Sequence, residues 1–168
     1  MTKFETVLNA YQTLPKTVQS LMLSTVSSDG TPHASYAPYV MDSAYRLYIF
    51  TSGLSAHTQN LLSTQKAGAL IIEDEAASQQ IFARQRITYD CRAEVIERNS
   101  PPWEDQADAF EQRFGDMIQM LRPLGDFQIF RLTPYGGRFI MGFGAAYEIN
   151  SADLSQLVPK AVKPTANE

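Results

Sequence analysis

The longest run of alternating apolar and polar residues, over 86–97, is the feature that most constrains the fold. Successive side chains of a strand point to opposite faces of a sheet, so this alternation predicts a long strand with one buried face. Such a strand needs neighbouring strands to complete its backbone hydrogen bonds and a core to cover its apolar side. That apolar side consists of Ile87, Tyr89, Cys91, Ala93 and Val95.

Shorter apolar runs on both sides of this segment predict its partner strands. Residues 20–41 are typical of a β-hairpin, because a turn at 28–31 containing Gly30 joins two strand-like runs. Pro38 in the second run indicates an edge or a bulge, since proline cannot donate to a sheet ladder. Further strands are predicted over 46–51, 67–72, 127–132, 138–141 and 146–149, with a turn at 133–137.

Apolar spacing and capping residues predict short helices between these strands. The first helix is expected to end at Pro15, and Ser55 is suited to cap a second one. Ser100 followed by two prolines is a typical helix start, and Gly115 is expected to interrupt the helix that follows. The predicted helices cover 4–14, 56–62, 101–114, 116–121 and a short closing segment after Ser151.

Together these elements predict one domain over 1–168, mainly β with helices (α+β), folded as a small antiparallel barrel. The N-terminal helix falls within 1–15, and the barrel with its inserted helices covers 20–150. The polar, proline-containing tail over 159–168 is expected to be flexible.

Charge and composition exclude several function classes. The chain has 14 Lys+Arg against 18 Asp+Glu and no basic block, whereas nucleic-acid binding relies on clustered cations. It lacks the roughly 20 consecutive apolar residues of a membrane span, and Glu5 in an amphipathic N-terminal segment is not typical of a signal peptide. One Cys and two His argue against an internal disulfide and an ordinary closed zinc site. We therefore expect a cytoplasmic protein without nucleic-acid or membrane partners.

Seven short motifs are spread over the predicted barrel, at 35–40, 57–61, 72–75, 82–88, 111–115, 126–127 and 142–147. In their order and spacing they resemble the pyridoxamine-5′-phosphate-oxidase-like, FMN-binding split-barrel superfamily, and within it the haem-utilisation (HugZ/HutZ-type) branch. This resemblance implies an antiparallel split β-barrel that forms a homodimer. It also implies cofactor sites in the grooves between the subunits.

The flavin-binding members of this superfamily hold the FMN phosphate with several Arg and Lys side chains. The resemblance places two of those positions near Ser35 and Val40, and two more at Ala56 and His57. The hydroxyls of Thr51 and Ser55, with His57, are left as phosphate contacts. Each charge-assisted hydrogen bond contributes about 1.5–3 kcal/mol, so we expect FMN to bind weakly in the usual pose.

Haem makes different demands, because it needs an apolar slot, cations for two propionates and usually an axial ligand such as histidine. Arg84 and Arg86, at the start of the long strand, are the candidate cations. Ser35 belongs with the predicted cofactor contacts. The aromatic side chains expected to line the slot are Tyr36, Tyr39, Phe50 and Phe82.

His57 and Asp126 are the candidate catalytic pair, since the haem-utilisation branch carries a His and an Asp at these positions. A carboxylate that accepts a hydrogen bond from one ring nitrogen fixes the tautomer and leaves the other nitrogen free. Family members known to degrade haem also carry an iron-binding His in the C-terminal tail. Residues 157–164 of this chain contain no histidine.

Simpler roles compete with these assignments. His57 is also typical of a solvated residue at a helix start, and Arg84 and Arg86 are also placed to pair with the acidic residues 73–75. Cys91 lies on the apolar face of its strand and is expected to belong to the core rather than to a reactive site.

Three functional hypotheses follow. The first is a haem-binding protein that degrades haem with oxygen and electrons from an external donor, with His57 and Asp126 orienting water or oxygen. The second is an FMN-dependent oxidoreductase in which the flavin carries the hydride chemistry. The third is a non-catalytic carrier of haem or flavin, which the missing tail histidine favours over catalysis because a carrier needs no defined axial geometry.

Overall fold

The computed structural model describes residues 2–159, and within them eight strands and four α-helices. The strands are β1 (Ser20–Val26), β2 (Pro32–Met41), β3 (Leu47–Ser52), β4 (Lys66–Ile72), β5 (Arg86–Val95), β6 (Phe127–Gly142), β7 (Ala145–Ile149) and β8 (Leu157–Pro159). The helices are α1 (Lys3–Thr17), α2 (Ala56–Thr64), α3 (Pro101–Phe114) and α4 (Asp116–Leu121). Two single 3₁₀ turns, Glu75–Ala77 and Ile81–Ala83, lie in the loop between β4 and β5.

Six of the strands close into an antiparallel barrel. Their order is β3-β2-β1-β4-β5-β6, and β6 pairs back with β3. Strands β7 and β8 extend the sheet beyond β6. This architecture confirms the predicted split barrel and its α+β class.

The barrel opens between β2 and β3, which gives the fold its split. Strand β2 pairs with β1 from Pro32 to Pro38, but it pairs with β3 only from Tyr39 to Met41. The N-terminal half of β2 therefore has no strand on its outer side. Helix α2 follows β3 after a three-residue turn and packs against β1, β2 and β5. Its first turn lies beside this split.

Two apolar cores hold the elements together. The first fills the barrel and includes the inward side chains of β5 as far as Ala93, as the alternation over 86–97 predicts. Helix α1 covers one side of this core with Val7, Tyr11 and Leu14. The second joins the outer side of β3 and β6 to α3 and α4, around Phe50 and Trp103. Burying such side chains contributes roughly 1.5–3 kcal/mol each, so both cores fix the relative positions of the strands that carry the site.

Strand β6 is one continuous element, so the predicted turn at 133–137 is wrong. Its ladder with β5 runs from Phe130 to Ile140 and shifts register once, between Asp90 and Cys91. The shift leaves Tyr135 outside the pairing as a bulge. Pairing with ten residues of β5 thus overrides the local turn preference of the Pro and Gly residues.

The two ends of the described chain also depart from prediction. Helix α1 continues past Pro15 to Thr17, because a proline in the last turn removes only one backbone hydrogen bond. The segment after Ser151 is a turn rather than a helix, with Asn150 and Asp153 accepting backbone N–H groups at their side chains, and it leads into β8. The tail predicted over 159–168 lies outside the described residues, apart from Pro159. Over residues 2–159, no helix is both long and apolar enough to cross a membrane.

Candidate functional site

His57, the second residue of α2, bridges the split between that helix and β2. Its Nδ1 lies 3.0 Å from the hydroxyl oxygen of Ser35. The ring is half-buried because α2 starts directly after the turn that leaves β3, where Ser55 takes the extended N-cap conformation. Two of the predicted cofactor-binding residues, His57 and Ser35, are thus in contact.

The hydrogen bonds of this pair favour one tautomer of His57. Ser35 Oγ donates to the carbonyl of Leu23 over 3.4 Å, so its lone pair accepts the Nδ1–H of His57. Nε2 then carries the free lone pair. Burial lowers the pKa of His57 from its usual 6.5, and the nearby His33 lowers it further. At neutral pH the ring is a neutral base or ligand.

Asp126 lies on the other side of the turn between β3 and α2. Its carboxylate accepts a hydrogen bond from Ser52 Oγ at 2.9 Å, and its carbonyl accepts one from the backbone N–H of Gly53 at 2.6 Å. The approach is so close that a Cβ on residue 53 would lie 2.9 Å from the Asp126 carbonyl oxygen. A glycine at 53 is therefore what allows Asp126 to dock on this turn.

The expected hydrogen bond between His57 and Asp126 is absent within residues 2–159. The ring bonds to Ser35 and the carboxylate bonds to Ser52, so the two groups lie at the same turn with different partners. Sequence reasoning missed Ser52. Its only signal was its position as the last residue of a strand, directly before a glycine.

The two hydroxyls proposed for a phosphate have different environments. Thr51 is only 4% exposed, and its hydroxyl accepts from Thr58 Oγ1 over 2.9 Å. It is therefore not available to a phosphate. The Ser55 side chain makes no capping hydrogen bond and is half-buried at the helix start.

The charges at the turn do not suit a phosphate. Residues 47–65 contain no Lys or Arg, and the exposed carboxylate of Asp126 is bonded to the turn itself. A phosphate here would meet a negative side chain instead of cations. The geometry of the turn thus agrees with the weak FMN binding expected from the sequence.

Arg84 and Arg86 lie elsewhere in the barrel. Arg84 donates to Glu75 over 3.1 Å and to the carbonyl of Glu73, so it forms the ion pair that was the simpler alternative. Arg86 donates to the Arg84 carbonyl over 3.1 Å, its single hydrogen-bond acceptor among the described residues. Strands β1 and β4 separate β5 from β2 in the sheet, so Arg86 and Ser35 lie on different sides of the barrel.

Two of the four aromatic side chains expected to line a haem slot are in the cores. Tyr39 is fully buried, with its hydroxyl donating to the Pro15 carbonyl over 2.8 Å, and Phe50 packs against Trp103 in the second core. Their predicted place in a slot is wrong, because both lie on the inward or helix-covered sides of their strands. Tyr36, 63% exposed, and Phe82 lie on the surface.

A cavity of about 740 Å³ lies between α1, the start of β1 and the loop before β5. It is lined by Arg84 together with Glu73 and Asp74, and not by His57. Its carboxylates offset its one cation. This cavity therefore does not combine the predicted cations and the predicted histidine.

Comparisons with known proteins agree with the fold and narrow the family. Residues 8–141 match the family model described as pyridoxamine 5′-phosphate oxidase. The chain is 38% identical over 140 residues to the protein named haem oxygenase HutZ from Vibrio cholerae, which covers 83% of this chain and 79% of that protein.

Two solved structures extend the comparison. The crystal structure of HutZ, described as the haem storage protein from Vibrio cholerae, is 34% identical with a TM-score of 0.73; the match covers 76% of this chain and 89% of that one. The structure of Campylobacter jejuni ChuZ is 28% identical with a TM-score of 0.83, covering 98% of this chain and 67% of that one.

Proposed function

Because the chain belongs to the pyridoxamine 5′-phosphate oxidase family, and because 83% of it aligns with a protein named haem oxygenase, we propose that it binds haem and degrades it with oxygen. Haem is the substrate in this proposal, and the electrons come from an external donor. The proposed location is the cytoplasm, which rests on the composition of the chain.

The observation that carries the proposal is the position of the His57 ring at the barrel split, with Nδ1 3.0 Å from Ser35 Oγ. In the tautomer that Ser35 favours, Nε2 is the hydrogen-bond acceptor left for a ligand. The Asp126 carboxylate, held by Ser52, supplies a second acceptor beside the same turn. Bound haem would supply the iron and the oxidisable ring; His57 and Asp126 orient a water molecule, which can donate to both acceptors.

The remaining requirements of haem are met by residues far from His57. Arg86 has donors to spare for a propionate, whereas Arg84 is engaged by Glu75 and acts by holding the loop before β5. Tyr36 and Phe82 offer exposed aromatic surface. The residues fit haem, but one chain does not gather them around a single ligand.

We propose that a second copy of the chain completes the site. The outer face of β2, β1, β4 and β5 carries the exposed side chains of Met22, 48% exposed, and Tyr36, with small residues between them at Ser24, Ala34 and Gly68. This face suits an isologous dimer, because the small residues let a second copy approach between the two larger side chains. In the proposed dimer, β2 of one subunit faces β5 of its partner, and one groove holds the His57 of one chain and the Arg86 of the other.

A non-catalytic haem carrier is the second candidate. The absence of histidine after residue 57 favours it, because the iron then lacks the tail ligand that family members known to degrade haem carry. The two descriptions given to HutZ, an oxygenase and a storage protein, span the same two possibilities. FMN is the third candidate; the family model supports it, and the uncompensated carboxylate of Asp126 at the turn opposes it.

Absorption spectroscopy of the purified protein separates these candidates. Titration with haem is expected to produce a shifted Soret band, and titration with FMN little change. Adding ascorbate and oxygen to the haem complex is expected to bleach that band. A stable band under these conditions identifies a carrier, and the absence of any shifted band rejects haem as the ligand.

Substitutions at the split test the catalytic assignment. His57→Ala and Asp126→Asn are expected to slow haem breakdown while haem still binds. Ser63→Ala, on the exposed end of the same helix, is the matched control and should behave like wild type. If bleaching proceeds at the wild-type rate in both site variants, His57 and Asp126 have no catalytic role.

A further inference from the structure

Thr58 and Gln59, the two residues of α2 that follow His57, both contact the turn between β3 and α2. The hydroxyl of Thr58 donates to the Ser52 carbonyl over 2.7 Å, the shorter of its two hydrogen bonds. The side-chain amide of Gln59 donates to the Gly53 carbonyl over 2.8 Å. The start of the helix that carries His57 is therefore bonded to both residues at the beginning of the turn.

Ser52 and Gly53 in turn bond to Asp126. Ser52 Oγ donates to the Asp126 carboxylate over 2.9 Å, and the Gly53 N–H donates to the Asp126 carbonyl over 2.6 Å. Two parallel paths of two hydrogen bonds each thus join the helix residues beside His57 to Asp126. Within residues 2–159 these paths connect two groups that make no hydrogen bond to each other.

Apolar burial contributes little to holding this turn in place. Leu54 at its tip is 91% exposed, and Gln59 and Asp126 are exposed as well. The backbone of the turn is held by hydrogen bonds instead, including one from the Leu54 N–H to Ser52 Oγ over 3.2 Å. Thr58 is fully buried, so water does not replace its hydroxyl at the Ser52 carbonyl when the hydroxyl is removed. The position of the turn therefore depends on these polar contacts.

We propose that Thr58 and Gln59 are positioning residues, which hold the Asp126 carboxylate at a fixed place relative to His57. The inference rests on the proposed haem breakdown, in which these two acceptors orient one water molecule. Such a water needs both acceptors at hydrogen-bonding distance, and a displacement of about 1 Å in a reacting site costs up to about 100-fold in rate. The two positioning residues act through the turn and do not touch the ligand.

Amide hydrogen exchange of Gly53, followed by NMR in the haem-free protein, measures this positioning without relying on activity. Gln59→Met keeps the size of the side chain and removes the donor to the Gly53 carbonyl. We expect the Gly53 amide to exchange roughly 3- to 10-fold faster, because its bond to the Asp126 carbonyl opens more often. Thr58→Val should have the same effect, and Thr58→Ser, which keeps the hydroxyl, should restore the wild-type rate of exchange.

Haem breakdown and haem affinity are measured on the same variants. Gln59→Met and Thr58→Val are each expected to slow breakdown roughly 3- to 10-fold. Their haem dissociation constants should stay within about twofold of the wild-type value, since neither side chain contacts haem. Thr58→Ser should recover most of the rate. A loss of rate at unchanged affinity separates positioning from damage to the binding site.

Asn60→Ala is the matched control on the same helix. The Asn60 side chain donates to Thr25 Oγ1 of β1 over 3.0 Å, so its removal weakens the docking of α2 without removing a bond to the turn. We expect a lower urea midpoint with unchanged Gly53 exchange and unchanged breakdown. If Asn60→Ala slows breakdown as much as Gln59→Met, any loosening of the helix is sufficient and the positioning role is overturned.

The outcomes distinguish this inference from the proposed function. A wild-type protein that binds no haem, or leaves it intact, rejects haem breakdown, and Gly53 exchange then decides the positioning: faster exchange in Gln59→Met supports it and unchanged exchange overturns it. If the wild-type protein degrades haem, an unchanged rate of breakdown in Gln59→Met overturns the positioning role. This test holds even where Thr58→Val fails to fold, because Gln59 is exposed.

Discussion

The two ends of the barrel differ in how their functional groups are satisfied. At the split, Ser35, Ser52 and Thr58 contact the His57 ring, the Asp126 carboxylate and the Thr51 hydroxyl, so most polar groups there are hydrogen-bonded to one another. At the opposite end, Phe82 and Phe143 are exposed. The first end holds its polar groups in fixed contacts, and the second exposes aromatic side chains.

In the proposed function, the two ends of one chain belong to different haem sites of a dimer. Strands β1 and β4 lie between the strands that carry Ser35 and Arg86, and no hydrogen bond among the described residues links the two ends. A rigid barrel does not bring them together by bending, since both of its cores are closely packed. In the proposed function, assembly with a second copy combines them.

The largest predicted effect comes from mixing two inactive chains. A heterodimer of one His57→Ala chain and one Arg86→Ala chain, purified through two different affinity tags, has one site with both defects and one intact site. We expect each homodimeric variant to lose haem breakdown and the heterodimer to recover about half of the wild-type activity per dimer.

The opposite arrangement gives an equally clear result. If His57 and Arg86 of the same chain serve one ligand, each site of the heterodimer carries one defect and activity does not return. The control is a heterodimer of one wild-type chain and one chain that carries both His57→Ala and Arg86→Ala. If each site takes His57 from one chain and Arg86 from the other, both sites of this heterodimer carry one defect, and it should be inactive.

A second prediction compares a glycine at each end. Gly53→Ala would put a Cβ 2.9 Å from the Asp126 carbonyl oxygen, so the turn must shift; we expect a loss of about 1–3 kcal/mol in the free energy of unfolding. Gly142→Ala meets no atom within 4 Å and should change stability by less than about 0.5 kcal/mol. Urea unfolding of the two variants checks both. Equal stability would mean that the split end is no more tightly organised than the turn bearing Phe143.

Some elements were predictable to the residue, and most others to within one to three residues. Helix α4 begins at Asp116 and ends at Leu121 as its glycine start indicates, and β2 covers Pro32–Met41 as the hairpin pattern requires. These elements depend on turn residues and periodicity within a few positions. The turn at 133–137 failed because pairing with β5, distant in sequence, decides the conformation there.

The site residues were predictable in type but not in arrangement. His57 and Ser35 do meet, yet Arg86 lies on a strand that the closed order of the barrel separates from them. Tyr39 and Phe50 were assigned to a slot because their own strands do not reveal which side α1 or α3 covers. Strand order and helix placement are tertiary properties. Local sequence patterns do not predict them, and only the family resemblance indicated them.

A third prediction concerns the charge at the split. Asp126→Asn keeps an acceptor for Ser52 and for Gly53 but removes the negative charge from the turn. FMN affinity, measured by quenching of flavin fluorescence, is expected to rise severalfold because a phosphate no longer meets a carboxylate. Glu94→Gln, a carboxylate paired with Arg131 on another part of the barrel, is the matched control. Unchanged FMN affinity in Asp126→Asn would show that the turn is not where a phosphate approaches.

The smallest predicted effect is a shift in the pKa of His57. Burial is the main cause of its lowering and His33 adds to it, so His33→Ala should raise the pKa of His57 toward 6.5 without reaching it. Titration of the ring by NMR measures this directly. Since the folded pKa is below the unfolded one, stability should fall as pH decreases from about 6.5 through the folded value, and His33→Ala should narrow that window.

The same titration tests the tautomer on which the split end depends. Ser35→Ala removes the acceptor of Nδ1–H, so both nitrogens become free to exchange the proton. The ¹⁵N shifts of the ring should then move from a pattern with Nδ1 protonated to a mixture of tautomers. If the wild-type ring already shows a mixture of the two tautomers, Ser35 does not hold the proton on Nδ1. Nε2 of His57 would then not be a fixed hydrogen-bond acceptor at the split.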